Sequence, residues 1–226
     1  EYYLNAGARY NIEFPHIHLY TLGHQGYFRS SLDSEEGKIC LESIRQGVIA
    51  ASEMGIPTVV IDGMRMNNAA KKQHVLAVCA YAVKMGAEYG VNIAMETDME
   101  LEDHITFLDQ FDGKLTLCFD THNPCMYGTG YPPEMIRALG KDRIDHFHIK
   151  DNGGNQDGYV NVESPLVPFG TGITYFEEAA RAVKDIGFEG WLISENMYYH
   201  KSMMKGMSGY IQSARRDVAA LYTAYG

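Results

Sequence analysis

A chain of 226 residues that is 46% hydrophobic and 21% charged can bury a large core as one α/β domain spanning residues 1–226. Its formal net charge of -10 and pI near 5.3 make polyanions poor partners, because duplex binding rests on clustered Lys and Arg, so neither nucleic acid nor an acidic membrane is expected. No apolar run is long enough to span a bilayer and no charged-then-apolar leader opens the sequence, which points to a cytoplasmic protein.

The chain opens on Glu1 rather than Met, so part of the natural protein is expected to precede it. Glu1 to Tyr10 read as the tail of a helix. NIEFPHIHLYT reads as extended, with Phe14, Ile17 and Leu19 marking a buried strand that ends near His18. From Glu35 to Met54, Ile39, Cys40, Ile44, Val48, Ala51 and Met54 recur at helical spacing until Gly55 stops the run. PTVVIDG is a short buried strand. Asn68 to Tyr89 repeats the helical pattern and closes on Gly90, and VNIAMET follows as a strand. The second half keeps the rhythm, with a helix from Leu101 to Phe111, a strand from Leu115, a short helix from Pro132 to Leu139 and a strand from Ile144. The connection from Asn152 to Gly172 is long enough to predict a lid or substrate loop. Thr174 and Glu177 have capping-box spacing for a helix running to Ile186, GWLISEN is the last strand, and Ser202 to Tyr225 the last helix. Cys40, Cys79, Cys118 and Cys125 form no CxxC pair and mostly fall in apolar periodic runs, where a reduced, buried thiol is the ordinary state.

Four of these apolar strands end in metal-ligand residue types: Glu96, Asp120, His148 and Glu195. A carboxylate at the tip of a dry strand must find a partner or a cation, so the four predict a site, with a metal as its natural occupant. A parallel β/α series can close into a barrel or lie open and doubly wound, and periodicity leaves both open. Convergence of polar residues from many strand ends, with His18 and Asp62 at two earlier ones, favours the barrel.

At HIHLYT, ASEMGIPTVVIDG, NIAMETD, CFDTHNP, HFHIKDN, PFGTGITYFEEAARAVKDIGFEGWLISEN and SARRDVAALY the chain resembles the xylose isomerase-like TIM barrels, the sugar phosphate isomerases and epimerases. That group includes ketose 3-epimerases, hydroxypyruvate isomerase, inosose dehydratase and, more distantly, endonuclease IV. The resemblance implies a (β/α)8 TIM barrel of the xylose isomerase-like type. Only six strands can be counted, so the first two are expected to be absent from this chain, either preceding Glu1 in a longer chain or supplied by another segment that completes the barrel. It also implies that Glu96, Asp120, His148 and Glu195 hold one divalent metal ion (Mn, Mg, Co or Zn), with Glu96 and Glu195 as the catalytic acid/base pair. The implied reaction moves a proton next to the carbonyl of a small-molecule sugar or polyol, through an enediolate-like intermediate. A dehydratase-type lyase using the same site, and a non-catalytic sugar-binding subunit, are the alternatives. Members often dimerise or tetramerise, and the sequence neither supports nor excludes a homo-oligomer.

The sequence departs from the family pattern at CFDTHNP, where the family writes Asp-x-x-His. Here the fourth position is Asn123, suited to a substrate hydroxyl but not to a further metal, and the imidazole stands one earlier at His122. Asp62 replaces the His that endonuclease IV would place there, which sets the DNA-repair chemistry aside. His18 is assigned to substrate binding, with a satisfied core histidine weighing equally. Lys150 is assigned likewise, against an ion pair with Asp151 or another carboxylate. Asp62 reads as structural or as a hydrogen bonder behind the site. His16, His104, His122, His146 and His200 read as surface or packing residues, and Glu102 as a solvated helix-start acid. PFGTG and DNGGN lack the Lys and spacing of a nucleotide loop, so no NAD, ATP or flavin is expected.

Overall fold

The computed structural model of the chain describes residues 1–64, 69–161, 163–198 and 206–226, and shows parallel strands alternating with helices as the apolar periodicity predicts. By its packing the chain divides into two units, Glu1–Thr97 with Thr106–Leu117, and Asp98–Ile105 with Cys118–Gly226.

In the first unit, α1 (Tyr2–Tyr10) ends at Asn11 in a left-handed conformation. It is followed by β1 (His16–Leu19), the short α2 (Tyr20–His24) and α3 (Glu35–Met54). The α3 limits are written in sequence: Ser34 Oγ accepts the Gly37 N–H at 3.0 Å, Glu35 and Glu36 sit in the positive first turn, and Gly55 caps the end at φ 67. Then come β2 (Thr58–Asp62), α4 (Ala69–Tyr89), β3 (Asn92–Glu96) and the start of β4 (Leu115–Asp120), while α5 (Leu101–Leu108) is divided between the units at Ile105. Asn68, the predicted start of α4, lies outside the described residues. The strands pair in parallel and in chain order, with His18 opposite Val60, Asp62 opposite Glu96 and Met95 opposite Leu117. Val59, Val60, Ile61, Ile93, Ala94 and Met95 are buried, as strands covered on both faces require.

The second unit takes up the end of β4 and adds α6 (Asn123–Tyr127), α7 (Pro132–Leu139), β5 (Ile144–Ile149), α8 (Phe176–Asp185), β6 (Trp191–Ser194) and α9 (Gly206–Tyr225). β5 and β6 are parallel, with His148 opposite Ile193. Alternation turns Phe147 away from His148 and into an aromatic core, its ring 5.9 Å from Phe119 and 4.9 Å from Phe188. Phe169 stacks on Phe176 at 5.2 Å and Tyr225 meets Phe176 edge-on.

Two expectations change, and one short helix, α6, was not foreseen; its first turn takes Pro124 because that position needs no amide donor. Thr174 does not cap α8: the cap position is Tyr175 at φ 62, with no side-chain cap bond. The α5 helix tightens into a 3-10 turn at Asp109–Phe111 rather than continuing as α-helix. The predicted start of α9 at Ser202, and His200, lie outside the described residues. The four cysteines form no disulfide, and burial pushes the thiols of Cys40 and Cys125 up to about 12, which disfavours the reactive thiolate. Among the described residues no helix is long and apolar enough to cross a membrane.

Candidate metal centre

Asp120 ends β4, His148 lies near the end of β5 and Glu195 follows β6. The backbone fixes all three tips. Thr121 N–H donates to the His148 carbonyl at 3.0 Å, and Glu195 N–H donates to the Ile149 carbonyl at 3.0 Å, so the ladder between strands continues one step past each strand end. Alternation aims the side chains: His148 lies opposite Ile193, and Glu195, two residues on, falls on that same face. Asp120, His148 and Glu195 each bring a donor atom within 4.8 Å of the others.

The contacts inside this cluster are short and charged. Asp120 Oδ1 accepts the backbone N–H of His122 at 2.7 Å, and Asp120 Oδ2 accepts Lys150 Nζ at 2.7 Å. Lys150 Nζ also lies 2.8 Å from Glu195 Oε2, and that oxygen is 2.9 Å from His148 Nδ1. The Asp120 side chain is fully buried and that of Lys150 is 12% exposed, while Glu195 keeps 32% of its side chain open. Burial works to raise the Glu195 carboxyl, but the hydrogen bond from His148 and the charge of Lys150 outweigh it and hold the group well below the ordinary carboxylate range. His122 is pushed down by burial, against the pull of Asp120, and its Nε2 lies 3.3 Å from Asn152 Nδ2. Asn123 is buried at the start of α6.

Behind the cluster, Asp151 is a fully used acceptor. Its Oδ2 takes the N–H groups of Gly170 and Gly172 at 2.9 and 3.0 Å, and its Oδ1 takes the Asn152 N–H at 2.9 Å and the Thr174 hydroxyl at 2.6 Å. Gly172 is required here, since a Cβ would stand 2.2 Å from Asp151 Oδ1. Asn196, next to Glu195, donates to Asp217 at 2.8 Å and to the Val167 carbonyl at 3.0 Å. The long connection is therefore pinned at its root, by an antiparallel bridge of Asn152 with Leu166 as well as by Asp151, and carries an exposed turn closed by the Tyr159 N–H on Asn155 Oδ1. Lys150 pairs with Asp120 and Glu195, two carboxylates distant in sequence. The role of Asp151 was not foreseen; PFGTG with its two glycines, following the Asp, was the available signal.

In the first unit, Glu96 is buried at the tip of β3 with His18 Nε2 3.8 Å from its Oε2. Asp62 Oδ1 accepts the Met64 N–H at 3.1 Å, in keeping with a structural role. Of the remaining histidines, His146 is buried with Nδ1 2.7 Å from Asp145, and His104 is buried in α5. Glu102 is exposed in the first turn of α5.

The donor set of two carboxylates and one imidazole in a largely buried cluster fits a hard or borderline divalent ion such as magnesium, manganese or zinc. No curated protein sequence matches the chain. Its fold is similar to that of IolI protein solved with a bound zinc, at 18% identity and a TM-score of 0.73, covering 88% of this chain and 74% of that one. It is also similar to a xylose isomerase domain protein from Planctomyces limnophilus, at 17% identity and 0.75, covering 98% and 79%. A third likeness is to L-ribulose 3-epimerase, at 15% identity and 0.68, covering 87% and 70%. Residues 4–219 match the family described as xylose isomerase-like TIM barrel, and the chain belongs to that family.

Proposed function

We propose that this chain is a divalent-cation-dependent isomerase or epimerase acting on a ketose or related keto-polyol. The observation that carries the reading is the meeting of Asp120, His148 and Glu195 in one cluster, in a chain whose structural relatives include an L-ribulose 3-epimerase and a zinc-bound IolI protein. In this reading Glu96 is the fourth ligand. Glu96 ends β3 buried, an acid at a strand tip as Asp120 is, which supports that role. When bound, the cation supplies Lewis-acid polarisation of the carbonyl and steadies the enediolate-like charge.

The protein's own groups move the proton. One of Glu96 and Glu195 takes the proton from the carbon beside the carbonyl, and the C–H electron pair passes into the enediolate-like system. For epimerisation the other glutamate returns a proton to the opposite face of that carbon; for isomerisation a proton returns to the neighbouring carbon. The product has the formula of the substrate. Glu195, held below the usual carboxylate range, is ionised at neutral pH, as a ligand or proton acceptor must be. His18, whose Nε2 lies 3.8 Å from Glu96, binds substrate together with Asn123 and Lys150.

The test is incubation with Mn2+ and a panel of ketoses and inososes in D2O. Uptake of one solvent deuterium beside the carbonyl, lost in Glu195→Gln, is the expected result. A product lighter by one water assigns a lyase using the same abstraction. No exchange with any substrate overturns the reading.

A further inference from the structure

The two carboxylates of the second unit are already joined by a cation of the protein's own. Asp120 divides its oxygens, Oδ1 to the His122 N–H and Oδ2 to Lys150. Lys150 also reaches Glu195 through Oε2, the oxygen that lies beside His148 Nδ1. The Glu195 oxygen beside the imidazole is thus also on the ammonium, together with the Asp120 oxygen that the His122 N–H leaves open. An ammonium is a compact point charge. It cannot stay in hydrogen-bond contact with two oxygens while a divalent ion binds both at about 2.0–2.6 Å, because the two like charges would then be nearly in contact in a poorly solvated site.

We propose that Lys150 is an internal cation that competes with the divalent metal for Asp120 Oδ2 and Glu195 Oε2 and so limits how tightly the metal is held. The inference rests on the metal reading of the site given above. Lys150 acts twice. It draws Asp120 and Glu195 together and offsets their mutual repulsion, so the donor set is assembled ahead of the metal. It also obliges each arriving metal to break two charge-assisted contacts, which weakens net binding. Its anchorage favours this use: Lys150 directly follows β5, its carbonyl accepts the Thr174 hydroxyl at 3.4 Å, and the next residue, Asp151, is fixed by four hydrogen bonds. The ammonium therefore leaves by side-chain rotation, with the backbone in place.

Calorimetric titration of Mn2+ into protein dialysed against chelator and then against chelator-free buffer tests the idea, comparing wild type with Lys150→Met and Lys150→Arg. Lys150→Met is expected to bind Mn2+ about tenfold tighter or more, and to gain more in melting temperature from Mn2+ than wild type does. Lys150→Arg, which keeps the competing charge, is expected to stay much nearer to wild type. If Lys150→Met does not fold without metal, Lys150→Gln carries the same comparison. Equal or weaker binding in the neutral variants overturns the competition while leaving the metal site standing. Absence of Mn2+ binding in wild type and neutral variants alike overturns both the competition and the metal reading.

Discussion

At the tip of β2, Asp62 accepts the N–H of Met64 two residues on; at the tip of β4, Asp120 accepts the N–H of His122 two residues on. The local turn is the same, and so is the sequence signature of an apolar strand ending in aspartate. The surroundings of the two carboxylates differ. Asp62 is packed so closely against backbone that a Cβ on Gly23 would stand 2.1 Å from its Cγ, whereas Asp120 gives its second oxygen to Lys150, which also holds Glu195. A strand-end acid is thus set in place by its own turn in both cases. What the turn does not supply is the long-range link, through Lys150, that ties Asp120 to a second strand-end acid.

The largest expected effect breaks the comparison at its functional side. Asp120→Asn and Glu195→Gln should each lower kcat/KM for the exchanging ketose by about 10³-fold or more and empty the metal site, measured by steady-state rates and metal content. Asp62→Asn keeps the turn acceptor and should leave both readouts within about tenfold of wild type. A comparable loss in Asp62→Asn would erase the distinction between the two tips.

Alternation sharpens the contrast along a single strand, since Phe147 and His148 are neighbours with opposite duties. Phe147→Ala removes a fully buried ring from an aromatic cluster and should cost about 3–5 kcal/mol in urea unfolding, with Mn2+ affinity retained in the folded fraction. His104 tests whether burial can outweigh a neighbouring carboxylate, that of Asp103, in shaping a titration. Burial lowers it from 6.5 to about 4, so the folded chain keeps it neutral where the unfolded chain protonates it. Its contribution is fully present above about pH 6.5 and is lost as pH falls toward 4, amounting to roughly 2 kcal/mol at pH 5. His104→Leu should remove that part of the difference in unfolding free energy between pH 7 and pH 5. The smallest effect is at Thr174: Thr174→Val deletes one hydrogen bond to Asp151 and should cost about 1–2 kcal/mol, seen as a lower melting temperature.

What could be read in the sequence follows the range of each interaction. The limits of α3 and α7, and the glycine stops at Gly55 and Gly140, are local, and reading them needs only neighbouring residues. The four strand-end ligand types were visible for the same reason, because each is a break in its own apolar run. Lys150 was legible as a residue near the site but not as the link between Asp120, 30 positions before it, and Glu195, 45 after it. Thr174 misled because its spacing to Glu177 is that of a capping box, while its hydroxyl is taken by Asp151, which the fold brings from 23 residues away. The short α6 was hidden by Pro124, which reads as a breaker until the chain direction shows that it stands in a first turn.

The bond from the Glu195 N–H to the Ile149 carbonyl bears on how such a protein can change its diet. Glu195 is suspended from the sheet, while the turn from Asn155 to Tyr159 closes on itself, the Tyr159 N–H donating to Asn155 Oδ1 at 2.9 Å. Under the proposed function, residues of that turn can be exchanged or lengthened while the carboxylate assigned to proton transfer keeps its station. Substrate preference and proton chemistry would then be separately heritable.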